Sequence, residues 1–337
     1  MSSPSHPLRN AASFVVAFAF TLLALAGFNA VGDPYADCYF LTGFRQPEVR
    51  TLDFYADVKF KSRLVRDLPP GSLGAAIFGS SRVMRIDPAE PAFAQLVPRA
   101  VNLGIQGARL GQTVQFVKLV TRRNPECIPV VGLDFFAFNP GASGRSIYLD
   151  DARPFPAQRE AFLRLASNRT CSEAWKAIRQ QPCPTRLLAN GLAARARPEA
   201  AYVETQLKNF AAQGWATCPN FRDFRYDRTK IEIVRHLRAE HPRTVFFVNP
   251  VSRAYREGQL KAGLELDYAE WRADLASVGR ILDFSDVEEI VGNPARFYDP
   301  HHYDDQAGGM IIRDVAAYLR GEPLRYARLL GSASPAP

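Results

Sequence analysis

Five short apolar runs rich in β-branched and aromatic residues constrain this chain most: Ala75–Phe78, Ala100–Leu103, Ile128–Phe136, Thr244–Val248 and Arg280–Phe284. Most are near-continuous in hydrophobicity rather than alternating, the pattern of parallel strands covered on both faces. Helical patterns lie between or after them. Gly111–Arg123 is largely apolar and ends in basic residues, and Tyr226, Ile233, Val234 and Leu237 share one side of a charged helix that stops before His241-Pro242. Leu260, Leu264, Tyr268, Trp271 and Leu275 follow helical spacing, and Asp304 or Asp305 can cap a last helix carrying Met310, Ile311, Val315 and Leu319. Strands alternating with helices predict an α/β domain around a five-stranded parallel sheet.

The chain has 337 residues, 47% hydrophobic and 23% charged, the balance of an ordinary globular protein. That excludes a disordered chain, a collagen-like chain and a multi-span membrane protein. Five cysteines in this length also exclude a disulfide-framework miniprotein. Residues 34–70 read as a connector, 71–325 as the α/β domain, and 326–337, ending GSASPAP, as a disordered tail. Residues 140–220, rich in Arg and Ala and holding Cys171, Cys183 and Cys218, break the strand–helix rhythm and read as a mainly helical insertion capping the carboxyl edge of the sheet.

Residues 1–33 contain an uncharged segment, Ser13 to Gly32. Twenty helical residues at about 1.5 Å each span about 30 Å, the thickness of a bilayer's hydrocarbon. Arg9 precedes the segment and Asp33 and Asp37 follow it, so the positive-inside tendency puts the N-terminus in the cytoplasm and the rest in the periplasm or outside, held by the inner membrane. The competing reading is a signal peptide cleaved after Ala24-Leu25-Ala26, giving a secreted or periplasmic protein. Both export the chain and permit disulfides, of which Cys171–Cys183 is the first pair to test.

Histidine points to the chemistry. Of five, His301 and His302 lie in Phe297-Tyr-Asp-Pro-His-His-Tyr-Asp-Asp305 just before the last helix. Asp299 precedes His302 by three residues, so a turn can bring its carboxylate under the imidazole and prepare a general base. The run Ala75-Ala-Ile-Phe-Gly-Ser-Ser-Arg82 carries a strand into a glycine and two serines, placing a hydroxyl at the carboxyl end of a first parallel strand. Gly79 permits the tight turn, and a following helix start would supply N–H groups to an oxyanion. Val101-Asn-Leu-Gly-Ile-Gln-Gly-Ala108 leaves the second strand with two glycines, and Gly132-Leu-Asp-Phe-Phe-Ala-Phe-Asn139 leaves the third with a polar residue near its end.

Taken in order, these segments resemble the SGNH (GDSL-type) hydrolase superfamily, and more narrowly its membrane-anchored members that O-acylate extracellular polymers, including the DltD-like proteins. The resemblance covers residues 70–320 apart from the insertion. It implies a flavodoxin-like three-layer α/β/α sandwich. By it Ser81 is the nucleophile, His302 the base and Asp299 its orienting acid, with Ser80 where the family has Asp. Gly107 maps onto the second-motif oxyanion donor. The third motif has departed from Gly-x-Asn-Asp: Asn139 is the nearest asparagine and a candidate oxyanion donor, while Asp134 sits closer to the strand end. Ser80 and Arg82 are candidate substrate contacts; for Arg82 and Arg85 the readings are an acidic substrate group or a solvated role. The function implied is acyl transfer, acetyl above all, to a polysaccharide or other envelope polymer beside an integral-membrane acyl exporter. The alternatives are an esterase of the same fold and a catalytically degenerate scaffold.

No set of histidines, cysteines and aspartates has zinc spacing, so no metal is expected. The second motif lacks the first glycine of a dinucleotide loop, position 102 being Asn, so no cofactor is expected. The net charge of +8 raises a nucleic-acid partner, but no such motif occurs and export removes one. Outside a membrane the charge suits an acidic or neutral polysaccharide or anionic headgroups.

Overall fold

The computed structural model describes residues 6–32, 54–140, 167–179, 185–218 and 220–331. They divide into two compact units, one of Met1–Leu52 with Asp150–Leu188 and one of Asp53–Leu149 with Ala189–Pro337. Cys38, Cys183 and most of the 140–166 stretch lie outside the described residues, as does the Cys171–Cys183 pairing.

The larger unit is built on a mixed, mostly parallel sheet of six strands. They are β1 (Ala75–Phe78), β2 (Ala100–Asn102), β3 (Ile128–Leu133), β4 (Val245–Val248), β5 (Ile281–Asp283) and β6 (Arg328–Leu330). Their order across the sheet is β6-β5-β4-β3-β1-β2. The pairings of β1 with β2 and β3, of β3 with β4 and of β4 with β5 are parallel; β6 runs antiparallel to β5, Leu329 opposite Leu282. β1, β3 and β4 are buried at every residue, the reason their sequences read as unbroken apolar runs.

Alternate residues feed two cores. Ala76, Phe78, Val131, Leu133, Phe246 and Val248 join one, and Ala75, Ile77, Val130, Val245, Phe247 and Leu282 join the other. The first core is closed by α1 (Phe54–Asp67), α2 (Leu110–Arg123), α3 (Ile231–Glu240) and α4 (Glu265–Val278), whose Val65, Phe116, Val234 and Trp271 enter it. The second is closed by Phe93 and by α5 (Asp305–Arg320), which brings Ile311, Ile312 and Val315. Asp304 caps α5 by accepting the Ala307 N–H at 2.8 Å, and Gly321 ends it in a left-handed conformation at φ 71°.

Three boundaries differ from the sequence reading. The connector assigned to 34–70 is a helix over Phe54–Asp67 that belongs to the α/β unit. Its inward stripe, Val58, Lys61 and Val65, carries a charge in the middle, which hides the apolar period. The sheet has six strands rather than five, because Arg328–Leu330, inside the expected 326–337 tail, forms an edge. Only one neighbour and partial exposure are asked of that strand, so its sequence need not be apolar throughout. Residues 189–220 of the insertion group with the α/β unit, while Asp150–Leu188 groups with the N-terminal segment.

In the smaller unit, His6–Gly32 is one helix containing an apolar span, Ala11–Gly32, with mean hydropathy 2.2 and exposed along most of its length. Its far end packs on the helix Asn168–Ile178: Phe28 meets Trp175 at 6.3 Å between ring centres, and Asn29 Nδ2 donates to the Ser167 carbonyl at 3.3 Å. By length and composition the span can cross a membrane or serve as a signal sequence.

Candidate active site

The site lies where the parallel strands end. β1 stops at Phe78 and the chain turns sharply at Gly79, whose φ is 147°. A side chain there would be strained, and its Cβ would sit 2.9 Å from the Gly132 carbonyl oxygen of β3. The turn runs through Ser80 and Ser81 into one 3-10 turn, Val83–Arg85, rather than the α-helix start expected. Asn102, at the end of β2, holds that turn from below: its Nδ2 donates to the carbonyls of Val83 at 2.7 Å and Ile86 at 2.8 Å.

The candidate base and acid, His302 and Asp299, come from a small hairpin. Phe297–Asp299 pairs with His302–Tyr303, Asp299 facing His302 across the turn at Pro300-His301. Asp299 Oδ1 accepts the N–H groups of His301 and His302, each at 3.0 Å. Its Oδ2 lies 2.7 Å from His302 Nδ1, and His302 Nε2 lies 2.8 Å from Ser81 Oγ. Burial alone would raise the Asp299 pKa, but the hydrogen bond and charge of His302, with the charge of His301, hold it far below the usual range. The carboxylate therefore only accepts, so Nδ1 donates to it and Nε2 is left to receive the Ser81 proton. The structure thus brings together Ser81, His302 and Asp299, from opposite ends of the sequence.

The turn is pinned to the rest of the site. Ser252 Oγ donates to the Pro300 carbonyl at 2.6 Å, and Arg82 Nε to the His301 carbonyl at 3.1 Å. Arg82 is buried: its Nη1 lies 2.6 Å from Asp134 Oδ1, and its guanidinium stacks on Phe136 at 5.0 Å and Tyr255 at 5.3 Å. Asp134 also accepts from Asn249 Nδ2 at 3.1 Å, and Asn249 Oδ1 accepts from the Tyr303 hydroxyl at 3.0 Å. Ser80 is 2% exposed and accepts the Arg82 N–H at 3.3 Å. The sequence reading offered Ser80, Arg82 and Arg85 as substrate contacts. All three are buried, Arg85 against Tyr298 and the Ala193 carbonyl, so they brace the site from within. Asn249, Tyr303 and Ser252, absent from the sequence reading, do the same from β4 and the hairpin.

Of the two expected oxyanion donors, Gly107 sits in an exposed turn at φ 67° with open space where a Cβ would be. Its neighbours are all engaged. The N–H of Gly104 donates to Asn102 Oδ1 at 3.0 Å, that of Ile105 to the Gly79 carbonyl at 2.9 Å, that of Gln106 to Asp57 Oδ2 at 3.0 Å and that of Ala108 to the Ile105 carbonyl at 3.0 Å. Among the described residues only the Gly107 N–H of this stretch lacks a protein acceptor. Asn139 is buried at the end of a 3-10 turn, its carbonyl accepting from Lys230 Nζ at 2.7 Å. Asp134, not Asn139, immediately follows β3, and its bonds to Arg82 and Asn249 commit it to the brace.

Asp299, His301 and His302 are the described residues that could gather on a metal, their ligand atoms lying within 4.8 Å of one another. Two ligands of tetrahedral zinc, each about 2.0 Å from the ion, stand about 3.3 Å apart. The 2.7 Å between Asp299 and His302 is instead a hydrogen bond. His301 lies against His302 with ring centres 4.1 Å apart and the rings tilted by 44°, and burial, then the charge of His302, push its pKa down to about 3.

No family model matches the chain, and no curated protein matches it.

Proposed function

We propose that this protein is an extracytoplasmic serine acyltransferase of the SGNH type, working through an acyl-enzyme on Ser81. The observation that carries the proposal is the unbroken path from Ser81 Oγ through His302 to Asp299, at 2.8 and 2.7 Å. Strand order 2-1-3-4-5 among the parallel strands, with the serine beyond the carboxyl end of β1, supports a flavodoxin-like sandwich with its site at the switch point.

In this reading His302 Nε2 takes the Ser81 proton as Oγ attacks the acyl carbonyl. The oxyanion forms beside the N–H groups of Ser81 and Gly107, with Asn139 as the third candidate donor. Losing one such donor costs about 2.7–4 kcal/mol of barrier. Asp299 holds the imidazole in the required tautomer and stabilises the imidazolium. That proton leaves with the departing group, giving acyl-Ser81. His302 then deprotonates an acceptor hydroxyl, which takes the acyl group and frees Ser81. Buried Arg82, fixed to both the serine turn and the His301 carbonyl, keeps the two halves in register.

An apolar span of 22 residues favours an anchored enzyme beside a membrane-embedded acyl exporter, with an acetyl group passing to a sugar hydroxyl of an envelope polysaccharide. The same groups serve an esterase when water replaces the sugar. The test is turnover of an aryl acetate by the full-length protein in detergent, with and without acceptor polysaccharide, beside Ser81→Ala. Acetate on the polymer supports the transferase, and acetate released only to solution selects the esterase. Turnover equal in wild type and Ser81→Ala overturns both.

A further inference from the structure

The loop carrying Gly107 is gripped by a buried carboxylate and a buried amine. Asp57 and Lys61 lie one turn apart on α1, 3.0 Å between Oδ1 and Nζ, and both side chains are fully buried. Burial pushes the Lys61 ammonium's pKa down while Asp57 opposes the shift. A buried pair of this kind adds little net stability, because desolvation offsets the attraction, and apolar side chains of similar size often serve a fold as well or better. What the pair does that apolar side chains could not is hydrogen-bond the loop. Lys61 Nζ donates to the Gly104 carbonyl, and Asp57 Oδ2 accepts the Gln106 N–H at 3.0 Å.

These two contacts fall immediately before Gly107. They fix the peptide planes on either side of Ile105, which is itself tied to the Gly79 carbonyl beside the serine turn. With four neighbouring N–H groups consumed, the one remaining donor is the Gly107 N–H, at a positive φ that the preceding planes must support. We infer that Asp57 and Lys61 are positioning residues for the acyl-transfer reaction, aiming the Gly107 N–H at the developing oxyanion through the Gly104–Gln106 backbone. This rests on the serine acyl-transfer reading. It makes the helix Phe54–Asp67 a part of the site.

The distinguishing variant is the double replacement Asp57→Leu with Lys61→Met, which keeps the buried volume and removes both loop contacts without stranding a charge. In full-length protein hydrolysing an aryl acetate, kcat is expected to fall by about 10- to 100-fold, below the 10²–10³ for outright loss of a donor. KM should stay within about twofold and the thermal midpoint should hold or rise. Leu64→Ala on the same helix, which packs on the core and has no polar atom to bond the loop, should lower the midpoint and leave kcat alone. A folded double variant with wild-type kcat overturns the inference, as does an equal kcat loss in Leu64→Ala. Ser81→Ala run in parallel separates the two claims: if it too retains activity, the acyl-transfer reading has failed; if it is dead while the double variant is normal, only the positioning role has. Should the double variant not fold, hydrogen exchange of the wild-type Gln106 amide decides. Exchange slowed at least about 100-fold relative to an unstructured amide supports the grip, and free exchange at this exposed residue overturns it.

Discussion

The two sides of the site are built in opposite ways. The acid–base side is local: Asp299 and His302 face each other across one hairpin turn, and the carboxylate that orients the imidazole also accepts the N–H groups of the turn. The proposed oxyanion side is assembled from remote pieces: Gly107 on the loop after β2, Asn102 bracing the serine turn, and Asp57 and Lys61 reaching in from α1. A short turn can specify a tautomer by itself. A backbone N–H can be aimed only by whatever fixes the peptides around it, and here that is tertiary packing. The first side should therefore fail all at once when a group is removed, and the second by degrees.

Removing a reacting group should give the largest effect. Ser81→Ala or His302→Ala is expected to lower kcat for an aryl acetate on the order of 10⁶-fold, and the two together no further, since they act as one unit. Additive losses would break the idea of a single proton path. Asp299→Asn comes next, at about 10⁴-fold in kcat. The amide oxygen can still accept the turn N–H groups, so the circular dichroism should be unchanged and the thermal midpoint should fall only by what the ionised carboxylate contributes; a collapsed fold would show that the acid–base side is no more self-contained than the other.

Arg82 joins the two sides, and its replacement by Met leaves Asp134 buried with its charge uncompensated. A loss of about 3–5 kcal/mol in unfolding free energy is expected, read by denaturant titration. A wild-type stability would mean the brace is dispensable.

The smallest effect is in pH dependence. The His301 pKa in the folded chain, about 3, lies below its ordinary 6.5. As pH falls below about 6.5 the unfolded chain binds a proton that the folded chain refuses, so stability declines down to about 3 and is flat above 6.5. Asp299 is depressed too, but as an acid its contribution is full above its ordinary 3.8 and is lost only below that. His301→Gln should therefore flatten the thermal midpoint between pH 4 and 6.5 while leaving the steeper loss below pH 4. An unchanged slope between 4 and 6.5 would assign the acid sensitivity elsewhere.

The sequence shows the acid–base side more readily for the same physical reason. Asp299 and His302 are three residues apart, and Ser81 ends a run whose burial on both faces leaves it plainly apolar. The strands β1 to β5 match the runs that predict them to within three residues at any end. The braces are harder to see. Lys61 interrupts the period of its own helix, Asn249 is one polar residue after a strand among many, and Arg82 beside two serines looks like a substrate contact until Asp134 is seen beneath it. Each is defined by a partner far along the chain, which spacing does not carry. The edge strand Arg328–Leu330 is missed because an exposed edge asks little of its side chains.

The central claim is that Ser81 is a nucleophile activated by His302. The direct measurement is peptide mapping of the full-length protein after treatment with a fluorophosphonate, which traps an activated serine as a stable adduct. The account predicts one modified residue, Ser81, with labelling lost in His302→Ala and slowed in Asp299→Asn. A folded protein that takes no label, or that carries it on another residue, would contradict the account.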